Sequence, residues 1–166
     1  MKPYNYIVIL VGVCGTGKSV VGQNVARKLK VPFFDADKLF VSEELPEGKL
    51  PQEVDLKEWL MALKELIVKQ STKKGCVISC SVLKKEHRKA LTDSVNHQLD
   101  WIFMKGSYEN AVHNIEQIGG PERLAAMLKS DFETLEAPKK ALTIDMNCSE
   151  QEMVDTILKY MARKYW

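Results

Sequence analysis

Eight consecutive residues, Gly12-Val13-Cys14-Gly15-Thr16-Gly17-Lys18-Ser19, have the types and spacing G-x-x-x-x-G-K-[ST]. Glycines let the backbone curl until successive N–H groups converge on one anion. If a helix starts at this point, its N-terminus adds a partial positive charge to the same spot. The Lys18 ammonium is suited to β- and γ-phosphate oxygens, and the Ser19 hydroxyl to Mg²⁺. The chemistry these residues can do together is to hold a nucleoside triphosphate. Gly12, Gly15, Thr16, Gly17, Lys18, Ser19 and Val20 form the expected phosphate-binding set, with Lys18 also acting in transfer.

Transfer of a phosphoryl group needs a second set of residues facing the first. One group must position or deprotonate the acceptor, and carboxylates must support the metal. Asp35 and Asp37 follow the apolar run Val31-Pro32-Phe33-Phe34 and can project from its end. They are either active-site carboxylates or caps of a turn or the next helix. Ser79 and Ser81 stand at the end of another apolar run, as ligands for phosphate, water or metal or as turn hydroxyls bonded to backbone. Lys84 and Arg88, four apart, suit an anionic substrate or form a solvated basic face. His87, His97 and His113 share no spacing with one another or with cysteine and read as surface or local hydrogen-bonding residues.

These groups need a scaffold that brings them to one edge, and the chain patterning supplies it. Tyr6-Ile7-Val8-Ile9-Leu10-Val11 is apolar and β-branched, as a parallel strand buried on both faces should be. Ser19 to Lys30 carries a helical apolar stripe of Val20, Val21, Val25, Ala26 and Leu29. Residues 31–34 make a short second strand, and residues 41–54 a polar loop punctuated by proline and glycine. A helix is expected over 55–70, a third strand over 76–80, a basic helix over 82–91, a fourth strand over 99–104 and a helix over 107–118. Gly119-Gly120-Pro121 breaks that helix, and a further helix is expected to begin with the proline in its first turn. A fifth strand over 141–145 and a last helix, opened by a Ser149/Glu152 capping box, complete the pattern. Strands alternating with helices imply an α/β fold with a five-stranded parallel sheet covered on both faces. In such sheets ligands bind beyond the carboxyl ends of the strands, where Lys18, Asp35, Asp37 and Ser79 would gather.

A chain of 166 residues, 45% hydrophobic and 28% charged, fits one domain spanning 1–166 with an ordinary core. A net charge of +2 is too small to argue for nucleic acid. No run approaches the roughly 20 apolar residues that span a membrane, and the apolar run 7–11 leads into the glycine loop without the form of a signal peptide. The four cysteines lack metal or disulfide spacing, so a reduced, cytoplasmic protein is expected, with Cys76 and Cys80 packed on one face of a strand.

Taken together the motifs resemble the gluconate kinase (gluconokinase) family. The residues that carry the likeness are Gly12 to Ser19, Phe34-Asp35-Ala36-Asp37, Trp59-Leu60, Ser79-Cys80-Ser81-Val82-Leu83-Lys84 with His87-Arg88, and Phe132-Glu133-Thr134-Leu135-Glu136-Ala137-Pro138. The resemblance implies an adenylate-kinase-like P-loop NTPase fold with a small helical lid, about residues 106–137. It implies ATP- and Mg²⁺-dependent phosphorylation of a hydroxyl on a sugar acid such as gluconate or a related anionic metabolite, often by a homodimer. It raises Asp35 and Asp37 to active-site carboxylates and Arg88 to a substrate contact; with the residue reading above, Asp35 is expected to bind metal and substrate, Asp37 to act in catalysis, and Lys84 to join Arg88 on the substrate. Departures from the pattern are local. Leu39-Phe40-Val41 replaces Leu-His-Pro, Leu56 stands at an arginine position, and Asn114, Ile118, Gly120, Pro121 and Glu122 stand where the lid has Arg-x-x-x-Arg-x-Gly-His-Phe. Arg123 is the one arginine close by, and it is either the remaining catalytic lid arginine or a solvated residue in the first turn of a helix. The competing expectation is a nucleotide-binding protein of the same fold with little or no kinase activity.

Overall fold

The computed structural model describes residues 5–12, 17–36, 56–80, 84–117, 129, 132–138 and 141–165. Its centre is β1 (Ile7–Val11), whose five side chains are all 0% exposed. Burial on both faces follows from its neighbours. β3 (Cys76–Cys80) and β4 (Leu99–Lys105) pair with it on either side, and β2 (Phe33–Asp35) and β5 (Leu142–Asp145) form the edges. The order is β2-β3-β1-β4-β5 and every pairing is parallel, as the alternation of strands and helices predicts.

Side-chain alternation along β1 divides the core in two. Val8 and Leu10 pack with Val21, Val25 and Ala26 of α1 (Lys18–Leu29) and with Met153, Val154, Ile157 and Met161 of α5 (Glu150–Tyr165). Ile7 and Ile9 pack with Leu63 and Ile67 of α2 (Leu56–Ser71) and with Leu91 of α3 (Lys85–Ser94). Cys76 and Cys80 lie buried in the second cluster, as expected of packing cysteines. Burial pushes the Cys76 thiol up to about 12, so it stays protonated and inert near neutral pH. Among the described residues no helix is long and apolar enough to cross a membrane.

Helix ends are set by local chemistry. α1 stops where Lys30 turns left-handed at φ 60° and the N–H groups of Lys30 and Val31 return to Arg27 and Ala26 carbonyls. Ser149 accepts the Glu152 N–H at 3.1 Å, which is the serine half of the expected cap. α3 departs from expectation: it begins at Lys85, not residue 82, and runs on to Ser94. The Glu136 carboxylate accepts the Lys85 N–H at 3.3 Å, a cap from distant sequence that local pattern could not show. Lys84 therefore precedes the helix in extended conformation instead of sharing its face with Arg88. α4 (Tyr108–Gln117) lies within the span 106–137 expected to form the lid, of which residues 118–128 lie outside the described residues.

Gly75 is the tightest turn in this frame. Its φ is +80°, and a Cβ there would sit 2.2 Å from the Tyr6 carbonyl oxygen and 2.6 Å from the Tyr6 nitrogen. Those atoms belong to backbone paired into the sheet, where Tyr6 O accepts the Cys76 N–H at 2.8 Å. Gly75→Ala is expected to cost at least about 2 kcal/mol, since left-handed strain and a backbone clash add. Urea unfolding should show a lower midpoint with an unchanged slope. An unchanged midpoint would contradict this geometry.

Candidate active site

The end of β1 and the start of α1 carry the phosphate-binding residues. Gly17 takes φ 79°, ψ 17°, a left-handed conformation open to glycine, and α1 begins at the next residue. Lys18 is 6% exposed, and its ammonium donates to the Gly12 carbonyl at 2.5 Å. The first and last thirds of the motif are thus joined across its base. Ser19 is half-buried, and Val20, 51% exposed, presents the first helical turn to solvent. Val13, Cys14, Gly15 and Thr16 lie outside the described residues.

The Ser19 hydroxyl donates to Asp35 Oδ2 at 3.1 Å. Besides whatever turn it caps, Asp35 thus reaches the second residue of α1 with its carboxylate. A Mg²⁺ ion binds oxygen at 2.0–2.1 Å in octahedral geometry, so adjacent ligands stand about 2.9 Å apart. The Ser19–Asp35 separation and its two hard oxygens fit such an ion. Asp37 lies outside the described residues, but the residue before it is well held: Ala36 is buried and its carbonyl accepts the Trp59 indole N–H at 2.9 Å. Trp59 thus steadies the chain between the two aspartates, a role its apolar helical spacing did not reveal.

The β3 end contributes Ser79, which is 1% exposed and whose hydroxyl oxygen lacks a hydrogen-bond partner among the described residues. The backbone-bonded turn hydroxyl is therefore not what Ser79 is. Ser81 lies outside the described residues.

Arg88 and Lys84 divide. Lys84 is exposed, whereas Arg88 is 7% exposed, which overturns the solvated basic face for Arg88. The Arg88 guanidinium donates to the Glu136 carbonyl, while the Glu136 carboxylate caps α3. Burial lowers the Arg88 pKa, and the nearby Glu136 carboxylate and Cys80 sulfur oppose that shift. Segment 132–138, at the end of the span expected to form the lid, is thereby tied to the first turn of α3. Nothing in the spacing of Glu136 identified this link; only its place in the motif Phe132 to Pro138 drew attention to it. Arg123 lies outside the described residues. The structure thus brings Gly12, Lys18, Ser19 and Asp35 together, and sets Arg88 in a separate contact at the head of α3.

Comparison with known proteins finds relatives over most of the chain. The shikimate kinase family model matches residues 14–161. The thermoresistant gluconokinase of Escherichia coli is 35% identical over 138 residues, covering 81% of this chain and 78% of that protein. A probable gluconokinase of Xenopus tropicalis is 27% identical and covers 95% of this chain and 94% of its own length. Among solved structures, a gluconokinase from Sinorhizobium meliloti 1021 superposes with a TM-score of 0.77 at 26% identity, over 98% of this chain and 94% of that one.

Proposed function

The chain belongs to the shikimate kinase family and stands with the gluconokinases, and from that premise we propose that it uses ATP to phosphorylate a hydroxyl of a sugar acid such as gluconate. The observation that carries this reading is the Ser19–Asp35 pair at 3.1 Å, set beside Lys18 at the carboxyl edge of the sheet. A triphosphate lying along the N-terminus of α1 meets the helix amides and the Lys18 ammonium, which exchanges the Gly12 carbonyl for β- and γ-phosphate oxygens. Ser19 and Asp35 would hold Mg²⁺, which when bound neutralises charge on those phosphates. Asp37 takes the acceptor proton as the acceptor oxygen bonds to the γ-phosphorus and the bond to the ADP oxygen breaks.

The acceptor is an anion on this reading. Lys84 at the entry to α3 and Arg88 one turn further on place two cations beyond the end of β3. Arg123 supplies the charge that closing lid arginines supply elsewhere. The homodimer implied by the family likeness and a cytoplasmic location, where ATP and reduced thiols are available, belong to the same proposal.

A coupled ADP-release assay over sugar acids, neutral polyols and nucleosides tests it. Turnover should occur with a sugar acid, and turnover with nucleosides alone, or with no acceptor at all, would overturn it. In the same assay Arg123→Ala should lower kcat roughly tenfold, less than the ~10³–10⁵ that a well-placed arginine provides in P-loop enzymes. Asn114→Arg combined with Ile118→Arg should raise kcat. If neither change alters the rate, the lid is not the limiting feature.

A further inference from the structure

Ser79 is the residue whose burial the fold leaves unexplained. A hydroxyl sealed from water without a partner gives up its hydrogen bonds and regains none. Among the described residues no other buried side-chain oxygen or nitrogen is in that position. An alanine or valine would fill the same place in the core without that cost.

Its surroundings show what the hydroxyl faces. Val77, two residues earlier on the same face of β3, packs with Val21 and Val25 of α1. Phe33, two residues before Asp35 on β2, packs against the same cluster. Ser79 and Asp35 therefore project to the α1 side of the sheet, and the register pairs them directly. Neighbouring strands run roughly 5 Å apart, so the hydroxyl lies about one water molecule's reach from the Asp35 carboxylate. Over that carboxylate stands Ser19, at 3.1 Å.

Resting on the kinase reading above, we propose that Ser79 is a positioning residue for the metal site: its hydroxyl holds a water molecule that completes the shell of the Mg²⁺ bound by Ser19 and Asp35. Magnesium sheds its waters reluctantly and is usually held by one or two protein groups, the rest of its shell being water and phosphate. Those waters need outer hydrogen-bond partners to fix the ion. Many P-loop proteins use a strand-end aspartate to hold the ion. Here the carboxylate comes from β2, and the strand beside β1 carries a neutral hydroxyl. The difference has a reason: a second carboxylate paired with Asp35 would repel it and raise its proton affinity. Serine offers an oxygen without the charge.

The test is Mn²⁺ binding to the protein–ADP complex, followed by electron paramagnetic resonance, with ATP affinity in EDTA and the melting temperature of the free protein measured beside it. Ser79→Ala should weaken Mn²⁺ roughly three- to tenfold, the size of one hydrogen bond. Its ATP affinity in EDTA should not change, and its melting temperature should hold or rise because an unpartnered hydroxyl has gone. Ser79→Thr, which keeps the hydroxyl, should restore Mn²⁺ affinity. Unchanged Mn²⁺ affinity in Ser79→Ala would overturn the assignment. A fall in EDTA affinity would replace it with a direct phosphate contact, and a lower melting temperature would make the hydroxyl structural. Failure of the kinase reading looks different: it shows as absence of turnover in the ADP-release assay, whereas an unaltered protein that bound neither ATP nor Mn²⁺ with ADP would overturn both proposals.

Discussion

Lys18→Ala is expected to leave a folded protein whose phosphoryl transfer has fallen by roughly 10³-fold or more. Removing a single preorganised donor from a developing charge costs about 10²–10³ in rate, and a cation on the transferring phosphoryl group lies at or above that scale. Lys18 is buried, but neither core cluster is built on it. Its ammonium spans the base of the loop to the Gly12 carbonyl. The substitution therefore removes charge without opening the core, and melting should move little. ATP affinity should drop together with kcat, since the ammonium meets the phosphates in both ground and transition states. A variant that turns over at the original rate would remove the phosphate-binding role from Gly12–Ser19.

Asp37→Asn should lower kcat by about 10²–10⁴ while leaving ATP affinity close to its original value. The contrast with Lys18 is the informative part, because the two residues act on opposite sides of the transferred group. The indole N–H of Trp59 holds the Ala36 carbonyl at 2.9 Å, so the chain leaves β2 in a fixed direction just before Asp37. The amide keeps size and hydrogen-bonding capacity but cannot accept the acceptor proton. Equal losses in kcat and ATP affinity would place Asp37 on the metal side with Asp35. An unchanged rate would leave it a turn cap.

Much of this was legible from residue types because the determining interactions are local. Ile7 to Val11 could only be a strand buried on both faces, and Gly17-Lys18-Ser19 could only open a helix onto an anion. That the five strands run parallel followed from their alternation with helices; the order β2-β3-β1-β4-β5 did not. Interactions between distant segments were not legible. The start of α3 depends on Glu136, fifty residues beyond it in the chain, so the helix was expected too early and Lys84 was placed on it. Arg88 was read as either solvated or substrate-facing; its burial rules out the first, and its bond to the Glu136 carbonyl was not legible in the sequence. Ser79 was legible only as a hydroxyl at a strand end. Its lack of a partner is a property of the packed sheet.

The position of β1 has a consequence for how the protein comes into being. β1 leaves the ribosome well before both strands that flank it, with Cys76 and Leu99 opposite Ile7. Until then five consecutive apolar residues, Ile7 to Val11, have no sheet to join. Contacts this distant in sequence are slow to close, and an unpaired strand of this composition is prone to associate with other chains. The nascent protein should therefore depend on chaperone cover from the emergence of Val11 until Lys105 has emerged, and arrested chains ending before β4 should remain sensitive to protease. The strand that leads into the phosphate-binding motif is thus made long before the two strands that hold it.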